Sequence, residues 1–368
     1  MTQLAAPARP IRIGMVGTGF MAQLHSAAYK MLPLVNRNTV PQLELVRIAG
    51  RTRVREAARD FGWAEATNDW RAVTEADDID LVDIVTPNDT HAEIVASAAA
   101  YRKTIVCEKP LARHVGEARQ MREAVARAGV PATVCFVYRT WPAVQVARQI
   151  IERGDIGTIH GFRGWFLHDH VSDQRDVHGW RLDPRRAGPG VIADIGSHMF
   201  DLAHHLVGDV SELFATTRGI LPAKMPVHDE ADIQLRFQDG ATGHIWVSWL
   251  ATGTGMDVGF EIHGNRGAVR FTWTRPSELS IYDARRPSDA RGFTTVPLGP
   301  VHPSAAPLTP ITGIGLGYQQ SFVTLLGMFL QDVRNGSSNA PTFDEGVTAA
   351  RYVDAALTSD RQRAWITL

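Results

Sequence analysis

The amino-terminal part of the chain alternates two hydrophobic patterns. Evenly apolar runs such as IRIGMVG and IDLVDIVTP are followed by segments in which apolar residues recur with the period of a helix. Strands that are apolar on both faces and alternate with helices are typical of a parallel sheet covered on both sides. The pattern therefore predicts a doubly wound α/β domain over residues 1–140. Its predicted strands lie at 11–17, 43–50, 79–87, 103–110 and 132–139.

The hydrophobic pattern changes after this point. A helix is predicted at about 142–153, and the segment ADIQLRFQDGATGHIWVSWL then alternates apolar and polar positions around an Asp239-Gly240 turn. The stretch HGNRGAVRF repeats such a turn. Residues 141–368 are therefore predicted to form a second α/β domain with a large, mostly antiparallel open sheet. A Pro-, Gly- and Ser-rich loop and two final helices are predicted at 284–313, about 316–335 and about 343–358.

A glycine motif lies between the first predicted strand and the first predicted helix, which begins near Phe20. The motif is Gly17-x-Gly19-x-x-Ala22. Its first glycine permits a tight turn, and its second lets a pyrophosphate approach the backbone N–H groups at the helix N-terminus. The context predicts a dinucleotide site that includes Phe20 and Met21. The alternative is a glycine turn required only for packing.

The end of the second predicted strand bears on which nucleotide binds. NAD sites usually place Asp or Glu there, whereas this chain has Gly50 followed by Arg51, Thr52 and Arg53. A guanidinium group suits a 2′-phosphate. We therefore predict NADP as the preferred cofactor, with NAD possible, although the arginines would also suit a solvated helix start. The stretch LPLVNRNTVPQ is interpreted as an inserted loop that lengthens the spacing.

Two later strand ends carry polar residues. Because ligands bind outside the carboxyl ends of parallel strands, Lys109 in CEKP is expected to point into the crevice. A surface turn is the alternative for any Glu-Lys-Pro tripeptide. The remaining cofactor contacts expected from CEKP and VTPNDTH are Thr86, Pro87, Asn88, His91 and Glu108.

The stretch DIGSH places Asp194 and His198 at i and i+4, on one face of a predicted helix. A histidine oriented by a carboxylate is a suitable general base for a secondary alcohol. A buried pair that only satisfies itself is the alternative. A metal site is a third reading, but no compact ligand signature supports it and none is predicted. The candidate ligands of such a metal site would be His168, Asp169, His170, His178, Asp201, His204 and His205.

Composition narrows the class of protein. The chain of 368 residues is long enough for two domains, and its formal net charge of -1 does not favour nucleic acid as a partner. No apolar run approaches the roughly 20 residues that span a bilayer, and the start MTQLAAPARP lacks the features of a secretory signal. We expect a cytoplasmic protein without a membrane partner, in which Cys107 and Cys135 are free, buried thiols.

The ordered set of the glycine motif, Glu108-Lys109-Pro110 and Asp194-x-x-x-His198 resembles the glucose–fructose oxidoreductase/inositol dehydrogenase (Gfo/Idh/MocA) family. The resemblance runs from about residue 10 to the end of the chain and includes TPNDTH and GYQQSF. The stretches VYRTWPAV and GWRLDPRRAGPGVIADIGSH look most like the levoglucosan and glycoside 3-dehydrogenase branch.

This resemblance implies a Rossmann domain followed by a domain for substrate binding and oligomerisation. It also implies NAD(P)-dependent oxidation of a secondary hydroxyl of a sugar, glycoside, anhydrosugar or cyclitol. Lys109, Asp194 and His198 would be the catalytic triad: His198 takes the hydroxyl proton, Asp194 orients His198, and Lys109 donates to the developing alkoxide. A homodimer or homotetramer would form through the open sheet.

Further contacts are expected around the triad. Trp180 and Arg181 are expected to contact cofactor and sugar, and Tyr318 the cofactor. The predicted substrate contacts are Lys109, Tyr138, Arg139, His168, Asp169, Arg181, Asp194 and His198. Two alternatives to a dehydrogenase are a non-redox enzyme that cleaves glycosides with tightly held NAD, and an idle nucleotide sensor.

Overall fold

The structure of the chain is a computed structural model. The described residues are 9–36, 40–169, 171, 179–221 and 227–368.

A parallel sheet forms the amino-terminal part of the molecule. Its six strands have the order β3-β2-β1-β4-β5-β6, and every neighbouring pair is parallel, which confirms the doubly wound prediction. The strands are β1 Ile11–Val16, β2 Leu43–Ala49, β3 Glu65–Thr67, β4 Leu81–Ile84, β5 Thr104–Cys107 and β6 Ala132–Val134. The order reverses between β1 and β4, and ligands bind at such a switch point. The short, exposed β3 was not predicted, because EAT carries no apolar signal.

Helices cover both faces of this sheet. They are α1 Phe20–Val35, α2 Val54–Phe61, α3 Arg71–Thr74, α4 His91–Ala100 and α5 Val115–Ala128. In α1, Leu24, Ala28 and Leu32 recur at helical spacing and are buried. The helix continues to Val35, so the prediction that LPLVNRNTVPQ is wholly a loop is wrong in its first residues.

A larger sheet follows, with the order β14-β13-β12-β11-β7-β10-β9-β8-β15. Its strands are β7 Ile159–His168, β8 Val210–Arg218, β9 Glu230–Phe237, β10 Thr242–Ser248, β11 Met256–Gly264, β12 Gly267–Thr272, β13 Glu278–Asp283, β14 Thr294–Pro297 and β15 Ile366–Thr367. Among the described strands of this sheet, only β7 and β10 pair in parallel, which confirms a mostly antiparallel sheet. The prediction of an unbroken loop over 284–313 is wrong at β14, which pairs with β13.

The remaining helices follow the parallel sheet in the chain: the first leads to the larger sheet, and the others lie between strands of that sheet. They are α6 Pro142–Glu152, α7 Pro184–Ala187, α8 Val191–Asp194, α9 Gly196–Leu206, α10 Tyr318–Asn335 and α11 Phe343–Gln362. The last two return to the amino-terminal part: Gly327 of α10 lies against Leu32 of α1, and Gly346 of α11 lies against Leu111. The predicted boundary between residues 140 and 141 stays a prediction. Within the described ranges, no helix has both the length and the hydropathy needed to cross a membrane.

Candidate active site

The glycine motif forms the floor of a cavity at the carboxyl ends of β1, β2 and β4. Gly17 has φ of 125°, and a Cβ there would lie 2.6 Å from the carbonyl oxygen of Val85, so the turn requires glycine. Gly19 precedes α1 and has no neighbour within 4 Å of a Cβ position. The backbone at the start of α1 is therefore open to an incoming anionic group.

This first cavity has a volume of about 460 Å³, within the range of small-molecule sites. Most of the predicted cofactor contacts line it. They are Gly17, Gly19, Phe20, Met21, Gly50, Arg51, Thr52, Thr86, Pro87, Asn88, Glu108, Lys109, Trp180 and Arg181.

Other lining residues were missed. Thr18, Asn68, Trp70, Thr90 and Glu93 also face the cavity. The Asn68 side-chain amide donates to the carbonyl of Gly50 at 2.8 Å, which fixes the turn after β2. Asn68 follows β3, the strand that the hydrophobic pattern did not reveal, so its place next to β2 could not be anticipated.

The turn after β2 separates the two predicted arginines. Arg51 lines the cavity, whereas Arg53 caps α2 in the left-handed region and places Nε 2.5 Å from Glu56. Arg53 does not line the cavity and pairs with Glu56 at the surface, so its contact with the cofactor stays a prediction. A Cβ at Gly50 would lie 2.4 Å from the side chain of Thr18. An acidic residue therefore cannot replace Gly50 unless Thr18 moves.

Two more predicted cofactor contacts lie elsewhere. His91 is fully buried, with Nε2 3.0 Å from the carbonyl of Thr86 and Nδ1 3.2 Å from that of Leu111. It braces the loops after β4 and β5 against each other and does not line the cavity. Tyr318 lines a second cavity instead, with its ring edge-on to Phe322 at 5.5 Å. Neither side chain lines the first cavity, so both cofactor contacts stay predictions.

The second cavity adjoins the first and has a volume of about 450 Å³. Six residues, here called the junction, line both cavities. They are Phe20, Met21, Glu108, Lys109, Trp180 and Arg181. A dinucleotide that enters along the glycine motif would reach the second cavity at the junction.

Lys109, Asp194 and His198 line this second cavity together. The Lys109 ammonium donates to Asp194 twice, at 2.8 Å to the main-chain oxygen and at 2.8 Å to Oδ1. Burial alone would raise the pKa of Asp194, but Lys109 and then Arg181 hold that pKa far below its usual range. Asp194 is therefore an anion.

The charge state of His198 differs from that of Asp194. Burial lowers the pKa of His198 well below its usual value, and the positive charge of Lys109 lowers it further. The imidazole is therefore neutral near neutral pH. A neutral imidazole can accept a proton, which is what a general base requires.

The predicted orientation of His198 by Asp194 is wrong. The chain does not form one continuous helix here, because α8 ends at Asp194 and α9 begins at Gly196. In the described part of the chain no hydrogen bond joins Asp194 to His198, and Nδ1 of His198 has no partner. Aromatic rings orient the imidazole instead: Tyr138 meets it edge-on at 4.8 Å, and Phe136 at 5.8 Å.

The predicted substrate contacts divide into two groups. Tyr138, His168 and Arg181 line the second cavity, whereas Arg139 and Asp169 do not. Arg139 is buried and paired with Asp201 and with Glu345, the latter at 2.9 Å. The Asp169 carboxylate accepts backbone N–H bonds from 253 and 255, at 3.2 and 3.1 Å. The predictions for Arg139 and Asp169 are wrong, because both side chains hold loops and helices together.

Apolar residues complete the second cavity and were missed. Among them, Trp249 lies just beyond β10, where the alternation of that strand had already placed it on the inward face. The other missed apolar and sulfur-containing residues are Cys135, Val137, Phe166, Val171, Leu182, Ile195, Met256 and Phe322.

Two groups of residues bear on metal binding. Asp201, one of the ligands of the metal alternative, is paired with Arg139, and His170 and His178 lie outside the described residues. His25, Glu108 and Cys135 lie within 4.8 Å of one another. However, both ring nitrogens of His25 already face carboxylates at 2.9 and 3.0 Å, which suits protons rather than a metal ion.

Comparison with known proteins gives consistent results. The model described as "Oxidoreductase family, NAD-binding Rossmann fold" matches residues 11–136, and "GFO/IDH/MocA C-terminal domain" matches residues 144–270. The levoglucosan dehydrogenase of Pseudarthrobacter phenanthrenivorans is 36% identical, with 97% of each chain covered. The inositol 2-dehydrogenase of Rhizobium meliloti is 26% identical over 97% of this chain and 99% of its own. A solved levoglucosan dehydrogenase in complex with NADH and levoglucosan has a TM-score of 0.95 at 36% identity, covering 98% of this chain and 99% of its own.

Proposed function

The chain belongs to the Gfo/Idh/MocA oxidoreductase family, and from that premise we propose that it is a dehydrogenase that oxidises a secondary hydroxyl. Its substrate would be a sugar, glycoside, anhydrosugar or cyclitol, since similar proteins bear the names levoglucosan, inositol and apiose dehydrogenase. One observation carries the proposal. A lysine–aspartate pair and a neutral histidine line a cavity that joins the dinucleotide cavity through six shared residues.

The first cavity fits a nicotinamide dinucleotide. The open backbone at Gly19 would hold the pyrophosphate, the turn after β2 would hold the adenosine ribose, and the junction would hold the nicotinamide. When bound, this group supplies a hydride acceptor at C4 of its ring.

The chain's own residues would handle the proton and the charge. His198 would accept the hydroxyl proton, and the Lys109 ammonium would donate a hydrogen bond to the same oxygen as negative charge develops there. Asp194 would position Lys109 rather than His198, because its carboxylate lies 2.8 Å from that ammonium. The product is a ketone, since the carbon loses one hydride and its oxygen loses one proton.

The test is turnover with a panel of anhydrosugars, pyranosides and cyclitols, each with NAD⁺ and NADP⁺. Accumulation of reduced nicotinamide in step with a ketone is expected for at least one class. Cleavage of a glycoside without net reduction would instead support the non-redox alternative. Tight dinucleotide binding with no turnover on any class would favour a sensor.

We propose further that NADP is preferred and NAD is accepted. Gly50 leaves no carboxylate to repel a 2′-phosphate, and Arg51 lines the cavity beside it. Arg51→Ala should lower kcat/KM with NADP⁺ by about tenfold and change kcat/KM with NAD⁺ little. Arg53→Ala is the matched control, because Arg53 pairs with Glu56 outside the cavity. Equal losses with both cofactors would contradict a phosphate-binding role for Arg51.

We also propose that residues 141–368 bind the substrate and associate into a homodimer or homotetramer through the open face of the larger sheet. That face carries Trp246, which is 37% exposed and pairs in register with Trp165 of β7. Large apolar side chains on an uncovered sheet face favour association.

A further inference from the structure

A group of buried polar side chains lies directly beneath the junction. His25 belongs to α1, Asp83 to β4, and Glu108 follows β5. His25 Nδ1 lies 2.9 Å from Asp83 Oδ2, and its Nε2 lies 3.0 Å from Glu108 Oε1. The hydroxyl of Tyr29 donates to the same Asp83 oxygen at 2.9 Å. His25 and Asp83 are completely buried, and Glu108 is 5% exposed.

The geometry determines the charge on His25. A histidine can donate from both ring nitrogens only as the imidazolium ion, and both nitrogens here face carboxylate oxygens. Burial alone would lower the pKa of His25, but Asp83 and Glu108 together raise it to about 10. His25 is therefore a buried cation between two buried anions.

The same contacts keep Glu108 ionised and in place. Burial alone would raise the pKa of Glu108, but His25 and then Lys109 hold it below its usual range. Its second oxygen, Oε2, accepts the backbone N–H of Lys109 at 3.1 Å. The neighbouring thiol of Cys135 adds no charge, because burial raises its pKa well above the usual value.

Glu108 is the anion of the junction. The other charged junction residues are the cations Lys109 and Arg181, and Asp194 pairs with Lys109 from the second cavity. An oxidised nicotinamide ring carries a positive charge, whereas a reduced ring is neutral. Without Glu108, the cations would outnumber the anions where the oxidised ring must bind.

We propose that Glu108, held in place by His25, makes this site favour the oxidised over the reduced nicotinamide more strongly than a neutral residue would. His25 is a positioning residue in this scheme, since it acts through Glu108. The inference rests on the proposed function, because it requires a nicotinamide at the junction. It adds a role for two residues that take no part in the proton transfer.

The test measures dissociation constants rather than turnover. Glu108→Gln and His25→Gln are compared with the unchanged chain for NAD⁺, NADH, NADP⁺ and NADPH, by protein fluorescence and calorimetry. Because the charge of Glu108 acts on the ring through a partly screened medium, Glu108→Gln should shift the oxidised-to-reduced affinity ratio by about threefold or more toward the reduced form. His25→Gln removes a positive charge instead, so its shift toward the reduced form should be smaller than that of Glu108→Gln. Tyr29→Phe is the matched control: it removes a hydrogen bond from the same buried group without removing a charge, and its ratio should not change.

The possible outcomes distinguish the charge effect of Glu108 from the proposed function itself. A ratio that stays constant in Glu108→Gln, or that moves equally in Tyr29→Phe, overturns the charge effect. Failure of the unchanged chain to bind any of the four dinucleotides overturns the proposed function itself. Should His25→Gln not fold, as judged by circular dichroism, Glu108→Gln still decides, since glutamine matches glutamate in shape and keeps an acceptor oxygen.

Discussion

At the scale of single residues, the contacts of Lys109 and His198 define the chemistry that the site can perform. The ammonium of Lys109 is held by two oxygens of Asp194, and the ring of His198 is held by aromatic neighbours. One group is thus a fixed donor, and the other is a neutral acceptor. A hydroxyl placed between them would be polarised from both sides.

Replacing Lys109 should separate binding from turnover. Lys109→Ala is expected to reduce kcat by about a hundredfold or more, because the donor to the developing alkoxide is lost, and to change the affinity for the reduced dinucleotide, whose ring is neutral, little. Steady-state kinetics and fluorescence titration measure the two quantities. Lys30→Ala, an exposed change in α1, serves as the control and should alter neither. Turnover that survives in Lys109→Ala would refute the role given to this lysine.

The neutral state of His198 predicts a pH dependence of stability. Its pKa is lowered in the folded chain and returns toward the usual value on unfolding, so the unfolded chain binds the extra proton at acid pH. The stabilising contribution is complete above a pH of about 6.5 and is lost as the pH falls below it, by up to about 1.4 kcal/mol per pH unit. His198→Gln should therefore show a shallower acid limb in denaturant unfolding. Identical slopes for the two proteins would indicate that His198 is charged in the folded chain.

At the scale of elements, buried ion pairs connect segments that are distant in sequence. Arg139, after β6, pairs with Asp201 of α9 and with Glu345 of α11. Glu345 also accepts the backbone N–H of Thr342 and so caps α11. This network fixes α9, and with it the position of His198.

Replacing Arg139, the centre of this network, should lower the stability of the fold and leave substrate binding unchanged. Arg139→Met is expected to lower the free energy of unfolding by about 3 kcal/mol, because it leaves buried carboxylates unpaired. The KM for the sugar should stay within about twofold at a temperature where the variant is folded. Arg127→Met, which breaks an exposed pair with Glu123, should cost less than about 1 kcal/mol. A large rise in KM without a loss of stability would show instead that Arg139 contacts the substrate.

At the scale of the whole molecule, the open face of the larger sheet is the surface on which association is expected. Trp246→Glu places a charge among Trp165 and its neighbours on that face. Light scattering after size exclusion should then show a shift toward smaller species. Tyr101→Glu, at an aromatic position that is 48% exposed at the end of α4, is the control and should leave the mass unchanged. If the chain without substitutions is itself a monomer, the proposal of an oligomer is wrong.

How much of the fold and of the site could be predicted depends on how far along the chain each sequence pattern carries information. Hydrophobic period acts within an element, so the sheets and most helices were predicted, while short polar β3 and edge strand β14 were not. The carboxyl ends of parallel strands converge at one edge of the sheet, so most of the residues that line the first cavity were predicted. No comparable rule predicts the direction in which a side chain next to a loop points. Arg139 follows Tyr138 directly, yet it turns toward Asp201 and away from the cavity.

The helix break at Ile195 shows the same limit. Spacing of i and i+4 implies contact only in an unbroken helix, and Asp194 and His198 lie in different helices. Their shared cavity arises from tertiary packing. The buried His25 was not singled out at all, because its partners are 58 and 83 residues away in the sequence.

The contact between Thr18 and Gly50 restricts how the nucleotide preference can be redesigned. The methyl group of Thr18 fills the space that any side chain at position 50 would need. Introducing an aspartate at that position alone adds a collision together with the new hydrogen-bond acceptor. A mutant library meant to exchange one dinucleotide for the other must therefore vary both positions at once, since a side chain at position 50 needs the space that Thr18 occupies.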